Sequence, residues 1–305
     1  MVKKISFIGL GRMGGAIAAN LLKDGFEVVG FDLDQKRVRE FEVLGGTVAT
    51  SIEEAARGAK VLMLSVPGDA DVENVLLGDG GAISGLGRGC VVVDFSTVLP
   101  PTSEKMSAAF AEKGAFYLDA PISGNRQITR ECGGTVMIGG DEAAWRRVRP
   151  VVRKISLRQY YMGASGRGAL MKLVVNTVSE LNRTALAEGL TFGMAGGIDG
   201  NLLLEVLASG SAYSKQIDHK GERMINSDFK DPEATTRMCV KDAEHMLTTA
   251  SEIGAPMPLT ALRCQLYQAT ARMSHGEDDP ASVIDLYRSL AGEEMKTAKK
   301  KRRKK

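Results

Sequence analysis

Ile5-Ser6-Phe7-Ile8-Gly9-Leu10-Gly11-Arg12-Met13-Gly14 opens the chain, and Phe26-Glu27-Val28-Val29-Gly30-Phe31-Asp32 follows after one helix length. The first apolar run is too short for a helix and suits a strand buried on both faces. The segment through Leu22 reads as helix, and the second run as another strand. The glycines fall where a strand-to-helix turn uses them. Gly9 permits the tight turn, Gly11 lets the backbone approach a pyrophosphate, and Gly14 lets the helix pack closely on the strand. Phosphates would sit at the helix amino-terminus, with Arg12 and Met13 in its first turn. Asp32 stands 18 residues beyond Gly14. A carboxylate there accepts ribose hydroxyls and repels a 2′-phosphate, so NAD is expected ahead of NADP. Lys36 and Arg37, one turn on, are the residues that could turn toward such a phosphate.

The alternation continues outward. Val61–Pro67 reads as a strand whose end, Val66 and Pro67, would lie over the cofactor. Val91–Phe95 is another, followed by Ser96-Thr97 and a helix start at Pro100-Pro101. Phe116–Leu118, Thr135–Ile138 and Arg158–Tyr161 complete the strand-like runs. Strand–helix repetition of this kind predicts an α/β fold, a doubly wound parallel sheet of Rossmann type with ligand at the carboxyl ends of its strands. After Gly163 every segment reads helical, with a breaker at Gly254-Ala255-Pro256-Met257-Pro258. The expected domains are 1–163 for the dinucleotide, 164–295 all-helical, and a basic tail over 296–305.

The long helix that follows Gly163, Gly166 and Gly168 carries apolar residues around most of its circumference, which predicts burial on nearly all sides. Lys172, Asn176, Ser179 and Arg183 recur at i, i+4, i+7 and i+11 and form one polar stripe. A stripe headed by a lysine faces either a wet groove, a structural ion pair, or a reaction cleft between two domains. A desolvated lysine lacking a carboxylate partner titrates below its reference of about 10.4 and can exchange a proton near neutrality.

The net charge of +3 comes from the last ten residues, which hold eight Lys/Arg and no acid. The rest carries 32 basic and 37 acidic residues, so no basic face for nucleic acid is expected on the folded part. Lys296–Lys305 is expected to be disordered, a solubility segment or a polyanion tether. No leader or membrane-length apolar segment is read, and Cys90, Cys132, Cys239 and Cys264 lack metal or redox spacing. Cytoplasmic residence with reduced thiols is the expectation. His219, His245 and His275 also lack metal spacing.

Four segments in this order carry a resemblance. Phe7–Gly14, Asp119-Ala-Pro-Ile-Ser-Gly124, Gly163–Asn176 and Val240-Lys241-Asp242 are similar to the motifs of the β-hydroxyacid dehydrogenases, the group of 3-hydroxyisobutyrate dehydrogenase and tartronate semialdehyde reductase. The resemblance implies an NAD-dependent oxidoreductase of a small β-hydroxyacid or its semialdehyde, a homodimer or homotetramer. It implies Lys172 as the catalytic acid/base and Asn176 as a substrate-placing residue. Ser123 and Gly124 would hold the substrate carboxylate, Thr97 and Lys241 would lie against the cofactor, and Tyr213 would stand near the substrate. The departure is Asn125-Arg126-Gln127, where the family continues with glycine and small residues. Asn125 can still adopt the left-handed conformation that a glycine would. Arg126 points either to solvent or to an additional anionic group on the substrate. The rival readings are a catalytically idle dinucleotide-binding protein tethered by its tail, and an imine reductase. Lys172 argues against both.

Overall fold

The computed structural model describes residues 3–292, in two compact units that divide between Lys172 and Leu173. The tail expected at Lys296–Lys305 lies outside the described residues. The first unit runs β1 (Lys4–Ile8), α1 (Arg12–Lys23), β2 (Glu27–Phe31), α2 (Gln35–Val43), β3 (Thr47–Val48), α3 (Ile52–Ala56), β4 (Val61–Leu64), α4 (Asp69–Leu77) and α5 (Ala82–Gly85). It continues through β5 (Val91–Asp94), α6 (Pro100–Glu112), β6 (Phe116–Asp119), β7 (Ile122–Ser123), α7 (Arg126–Arg130), β8 (Thr135–Gly140), α8 (Glu142–Val152) and β9 (Arg158–Gly163).

The sheet order is β3-β2-β1-β4-β5-β6-β8-β7, with β9 also paired to β8. All pairs from β3 to β6 are parallel, as the sequence predicts. β8 reverses direction against both β6 and β7, so the far end of the sheet is mixed. Short apolar runs became strands because both faces are covered. Ile5, Phe7, Val61 and Met63 enter one core with Ile17 and Leu21 of α1. Ile8, Leu62 and Leu64 enter the opposite core with Met106 and Phe110 of α6. The chain reverses its winding at β1, with β2 on one side and β4 on the other. A crevice at the carboxyl ends of β1 and β4 is where such a sheet takes its ligand. The β4 strand ends at Leu64, earlier than the Val61–Pro67 run suggests. Past Ser65, whose N–H still bonds Ile8 O at 3.0 Å, the chain leaves the sheet.

The second unit is helical. The long helix α9 (Arg167–Ala195) is followed by α10 (Gly200–Ser209), α11 (Lys215–Asn226), α12 (Thr236–Ile253), α13 (Pro258–Thr270) and α14 (Val283–Leu290). Thr235 caps α12 by accepting Met238 N, and Gly254 ends it at φ +72°, a conformation that favours glycine. Pro258 then starts α13. Leu186, Leu190, Met224, Tyr267 and Ile284 form this unit's core.

Two expectations change here. The helix α9 is not buried on nearly all sides, because Val174, Val178 and Phe192 are 47, 56 and 82% exposed. The unit boundary also lies later than residue 163, inside α9. The helix's first turn is fastened to β6 by Asp119, as described below, and so belongs with the sheet. Among the described residues, no helix is long and apolar enough to cross a membrane.

Candidate active site

The glycine turn is built as its spacing implies. Gly9 has φ +85° and its N–H bonds Phe31 O at 2.9 Å. A Cβ on Gly9 would collide with Ser65 O, and one on Gly14 with Gly9 O, so both positions require glycine. A Cβ on Gly11 would meet nothing within 4 Å, which leaves its backbone open to a ligand. Helix α1 has no side-chain cap and no acid in its first turn. Its first N–H groups, at Arg12 and Met13, are those a helix offers to an anion. Asp32 accepts from Leu10 N at 2.6 Å through Oδ2 and from Asp34 N at 2.8 Å through Oδ1. Each oxygen keeps a further lone pair for a ribose hydroxyl. These residues fit a dinucleotide. Sequence reasoning missed that Asp32 also pins the turn, since no spacing rule announces a side-chain bond to Leu10.

The loops after β4 and β5 are fixed by one buried carboxylate. Asp94 accepts from Ser96 N at 2.7 Å and from Tyr117 Oη at 2.6 Å, and Ser96 Oγ accepts from Val66 N at 2.9 Å. This chain sets the positions of Val66, Pro67 and Thr97. Burial pushes the Asp94 carboxyl up to about 6. A folded-state value above the unfolded one gives stability that is complete below about pH 4 and lost as pH rises through about 6. Relative to Asp94→Asn, the wild-type chain should therefore lose roughly 2–3 kcal/mol between pH 4 and 7. Urea unfolding of both proteins across that range measures it. A difference independent of pH would contradict this reading.

Asp119, at the end of β6, holds the start of α9. Its Oδ1 accepts Gly166 N at 2.9 Å and its Oδ2 accepts Ala169 N at 2.8 Å. Gly168 passes so close that a Cβ would crowd Met137 O and the Asp119 carboxylate. Thus anchored, α9 brings Lys172 Nζ to donate to Ile122 O at 2.8 Å, immediately before Ser123 and Gly124. Gly124 has φ +151°, and a Cβ there would press on Ile128 and Gly134. Asn125 does not use the left-handed conformation open to it: it is extended, at φ −87°, and its side chain caps α7 by accepting Ile128 N at 2.8 Å. A short polar side chain at this point serves the helix start, so no left-handed residue is required. Arg126, one residue on, is exposed and lines an open basin beside the glycine turn with Arg12, Lys36, Arg39 and Arg130.

In the second unit the polar stripe divides. Asn176 Nδ2 lies 3.5 Å from Asp242 Oδ2, and Ser179 Oγ accepts from Gln216 at 2.7 Å. Arg183 is inside the core, donating to Tyr267 Oη at 2.9 Å and to Cys239 Sγ at 3.2 Å. Burial pushes the Cys239 thiol up to about 12. Arg183 therefore serves structure, with its neighbour Glu180, which pairs with the buried Arg263. Tyr213 is exposed and donates to Asp218 at 2.6 Å, and Lys241 is exposed on α12 beside Asp242. Among the described residues no group of histidine, cysteine or carboxylate side chains could hold a metal.

Two family models cover the chain: the NAD-binding domain of 6-phosphogluconate dehydrogenase over residues 4–163, and the NAD-binding region of NADP-dependent 3-hydroxyisobutyrate dehydrogenase over 166–287. The 2-(hydroxymethyl)glutarate dehydrogenase of Eubacterium barkeri is 33% identical, over 95% of this chain and 96% of its own. The 3-hydroxyisobutyrate dehydrogenase of Pseudomonas aeruginosa is 32% identical over 93% and 98%. The solved 3-hydroxyisobutyrate dehydrogenase of Mycobacterium tuberculosis, with L-serine, superposes with TM-score 0.84 at 26% identity over 94% and 100%. With these whole-length matches and the site geometry above, the chain belongs to the β-hydroxyacid dehydrogenase family of NAD(P)-dependent oxidoreductases.

Proposed function

We propose that the chain catalyses the reversible, NAD-dependent oxidation of a small β-hydroxyacid to its semialdehyde, with the Lys172 amine as acid and base. The observation that carries this reading is the 2.8 Å bond tying Lys172 Nζ to Ile122 O, next to Ser123 and Gly124. A carboxylate held by the Ser123 hydroxyl and the Gly124 N–H would present the substrate's hydroxyl carbon near that amine. In oxidation the neutral amine takes the hydroxyl proton; in reduction the ammonium gives one to the carbonyl oxygen. The nicotinamide, when bound, supplies the hydride acceptor or donor. Asn176, one turn along the same helix, orients the oxygen through its amide. Gly9, Gly11, Arg12, Met13, Gly14 and Asp32 would hold the pyrophosphate and ribose, and Val66, Pro67 and Thr97 would lie beside the nicotinamide. The assignments of Tyr213 to substrate and Lys241 to cofactor belong to the same proposal.

The name of the Eubacterium barkeri relative designates a hydroxymethyl dicarboxylate, which supports a substrate with a second carboxylate. The test is a screen of small hydroxyacids and semialdehydes that follows nicotinamide absorbance with NAD and NADP in parallel. Turnover of a β-hydroxyacid is expected. Tight NAD binding with no turnover of any of them would favour the idle binding protein instead. Because Asp32 stands at the ribose end, catalytic efficiency should be higher with NAD than with NADP. Comparable efficiencies would contradict the role given to Asp32.

The exposed apolar row of α9 supports the expected homo-oligomer. Val174, Val178 and Phe192 share a face, since Val174 and Phe192 are 18 residues, five helical turns, apart. Leu202 and Val206 of α10 are similarly exposed, at 51 and 59%. Large apolar side chains exposed along a helix face are the kind an interface covers. Light scattering should give a dimer or tetramer mass, and Val178→Asp with Phe192→Asp should lower it. A wild-type monomer would contradict this. A cytosolic setting suits the four free cysteines.

A further inference from the structure

Two buried arginines of the second unit converge on one residue of α12. Arg183 of α9 donates through Nε to Tyr267 Oη at 2.9 Å and through Nη2 to Cys239 Sγ at 3.2 Å. Arg263 of α13 pairs with Glu180 of α9 and donates to Cys239 O at 3.3 Å. Along α9 the polar contacts run Asn176, Thr177 and Arg183, and their partners on α12 are Asp242, Met246 and Cys239. The two helices therefore lie antiparallel, side by side. Cys239 precedes Asp242 by three residues and shares its face of α12, while Asn176 precedes Arg183 by two turns on one face of α9.

Two guanidiniums against one carboxylate, Glu180, leave the cluster with excess positive charge, which is costly in a core unless something offsets it. The half-buried Asp242 is close enough to act on both Glu180 and Cys239, and its carboxylate supplies the missing charge. Its contact with Asn176 is of a different kind. Asn176 Nδ2 stands 3.5 Å from Asp242 Oδ2, the outer limit of a hydrogen bond. A slide of roughly half an ångström between α9 and α12 decides whether that bond forms. Arg183 resists such a slide, because two nitrogens of one rigid, planar fork are engaged at once on two other helices, α12 and α13.

We propose that Arg183 is a positioning residue for the reaction: by pinning Cys239 of α12 to α9 it sets the Asn176–Asp242 contact, and with it the way the Asn176 amide faces the reactants. Being buried, Arg183 itself touches neither substrate nor cofactor. Glu180 acts one step further back, through Arg263 and Cys239 O. The inference rests on the proposed function for the role of Asn176, whereas the coupling of the cluster to the Asn176 amide rests on the helix packing alone.

The test is a double-mutant cycle. Arg183→Lys keeps the charge but lacks the fork that engages two helices, and Tyr267→Phe removes a single hydroxyl from the cluster. Each is combined with Asn176→Ala, and kcat, KM, NAD affinity and denaturant unfolding are measured. A loss in kcat of about tenfold in each single variant, with NAD affinity unchanged and no further loss in the Asn176→Ala background, supports the proposal. Losses that multiply in the double variants overturn it, and so does a lowered unfolding midpoint with wild-type kcat in both single variants, which would leave Arg183 serving stability only. The side-chain amide NMR resonance of Asn176, identified by its absence in Asn176→Ala, carries the same test without turnover. It should move in Arg183→Lys and Tyr267→Phe as it does in Asp242→Asn, and an unmoved resonance overturns the proposal. A wild-type chain that turns over no β-hydroxyacid while showing these shifts would count against the proposed function and leave the coupling supported.

Discussion

Lys172→Ala should lower kcat by roughly 10²–10⁴, the usual worth of a placed acid/base, while NAD affinity should stay at the wild-type value. The structure supplies the reason for both halves. The Nζ group is held at Ile122 O, whereas the glycine turn and Asp32 that fit the dinucleotide are built from β1, α1 and β2. Steady-state kinetics with the substrate found by screening, together with NAD titration, measure the two quantities. Arginine at this position should be nearly as poor as alanine, because a guanidinium cannot give up its proton at working pH. The comparison separates charge from proton transfer: an arginine variant close to wild-type activity would mean that position 172 acts only as a positive charge. Asp119 stands behind this residue as a positioning group, since it accepts the two N–H groups that seat the first turn of α9.

Glu180→Ala should destabilise the second unit by about 3–5 kcal/mol, the cost of breaking a buried pair by removing one partner. Arg263, 1% exposed, pairs with Glu180 and donates to Cys239 O at 3.3 Å. Arg183 is also buried, and the Tyr267 ring lies 5.4 Å from each guanidinium carbon. Burial pushes the Glu180 carboxyl up, while Arg183 and Arg263 oppose that. Removing the carboxylate leaves two guanidiniums in the core beside a phenol, a thiol and a carbonyl, with Asp242 as the remaining acidic group near the network. Denaturant unfolding of the full chain checks the figure. A loss below about 1 kcal/mol, within the range of an exposed pair, would show that water reaches this network.

The parts of the fold that were legible share a physical property, namely that their signal is local. Ile5–Ile8 had to be a buried strand because it is short, apolar and followed by glycines whose turn leaves no room for a Cβ. The helices α10 to α14 were legible from their periodicity and from Gly254 and Pro258 between two of them. What was not legible depends on partners distant in sequence. β3 and β7 are two residues each, and only pairing with β2 and β8 makes them strands. The reversal of β8 is likewise a matter of its neighbours. Glu180 reads as an ordinary helical residue until Arg263 arrives from α13. Within the candidate site, the polar stripe headed by Lys172 was legible from its spacing along α9, whereas the seat of Lys172 Nζ at Ile122 O was not, since that partner is 50 residues away. The placement of Arg126 beside the glycine turn was not, since nothing in Asn125-Arg126-Gln127 says that a short helix starts there and packs on α1.

The proton-transfer role of Lys172 is tested most directly by chemical rescue. Lys172→Ala, saturated with NAD and substrate, is assayed with added methylamine across a range of concentration and pH. If the amine is the acid and base, the rate of oxidation rises in proportion to the free-base concentration of methylamine, and the wild-type enzyme is unaffected. A variant that stays inactive with methylamine while binding NAD and substrate normally, or one already near the wild-type rate without it, would contradict the mechanism.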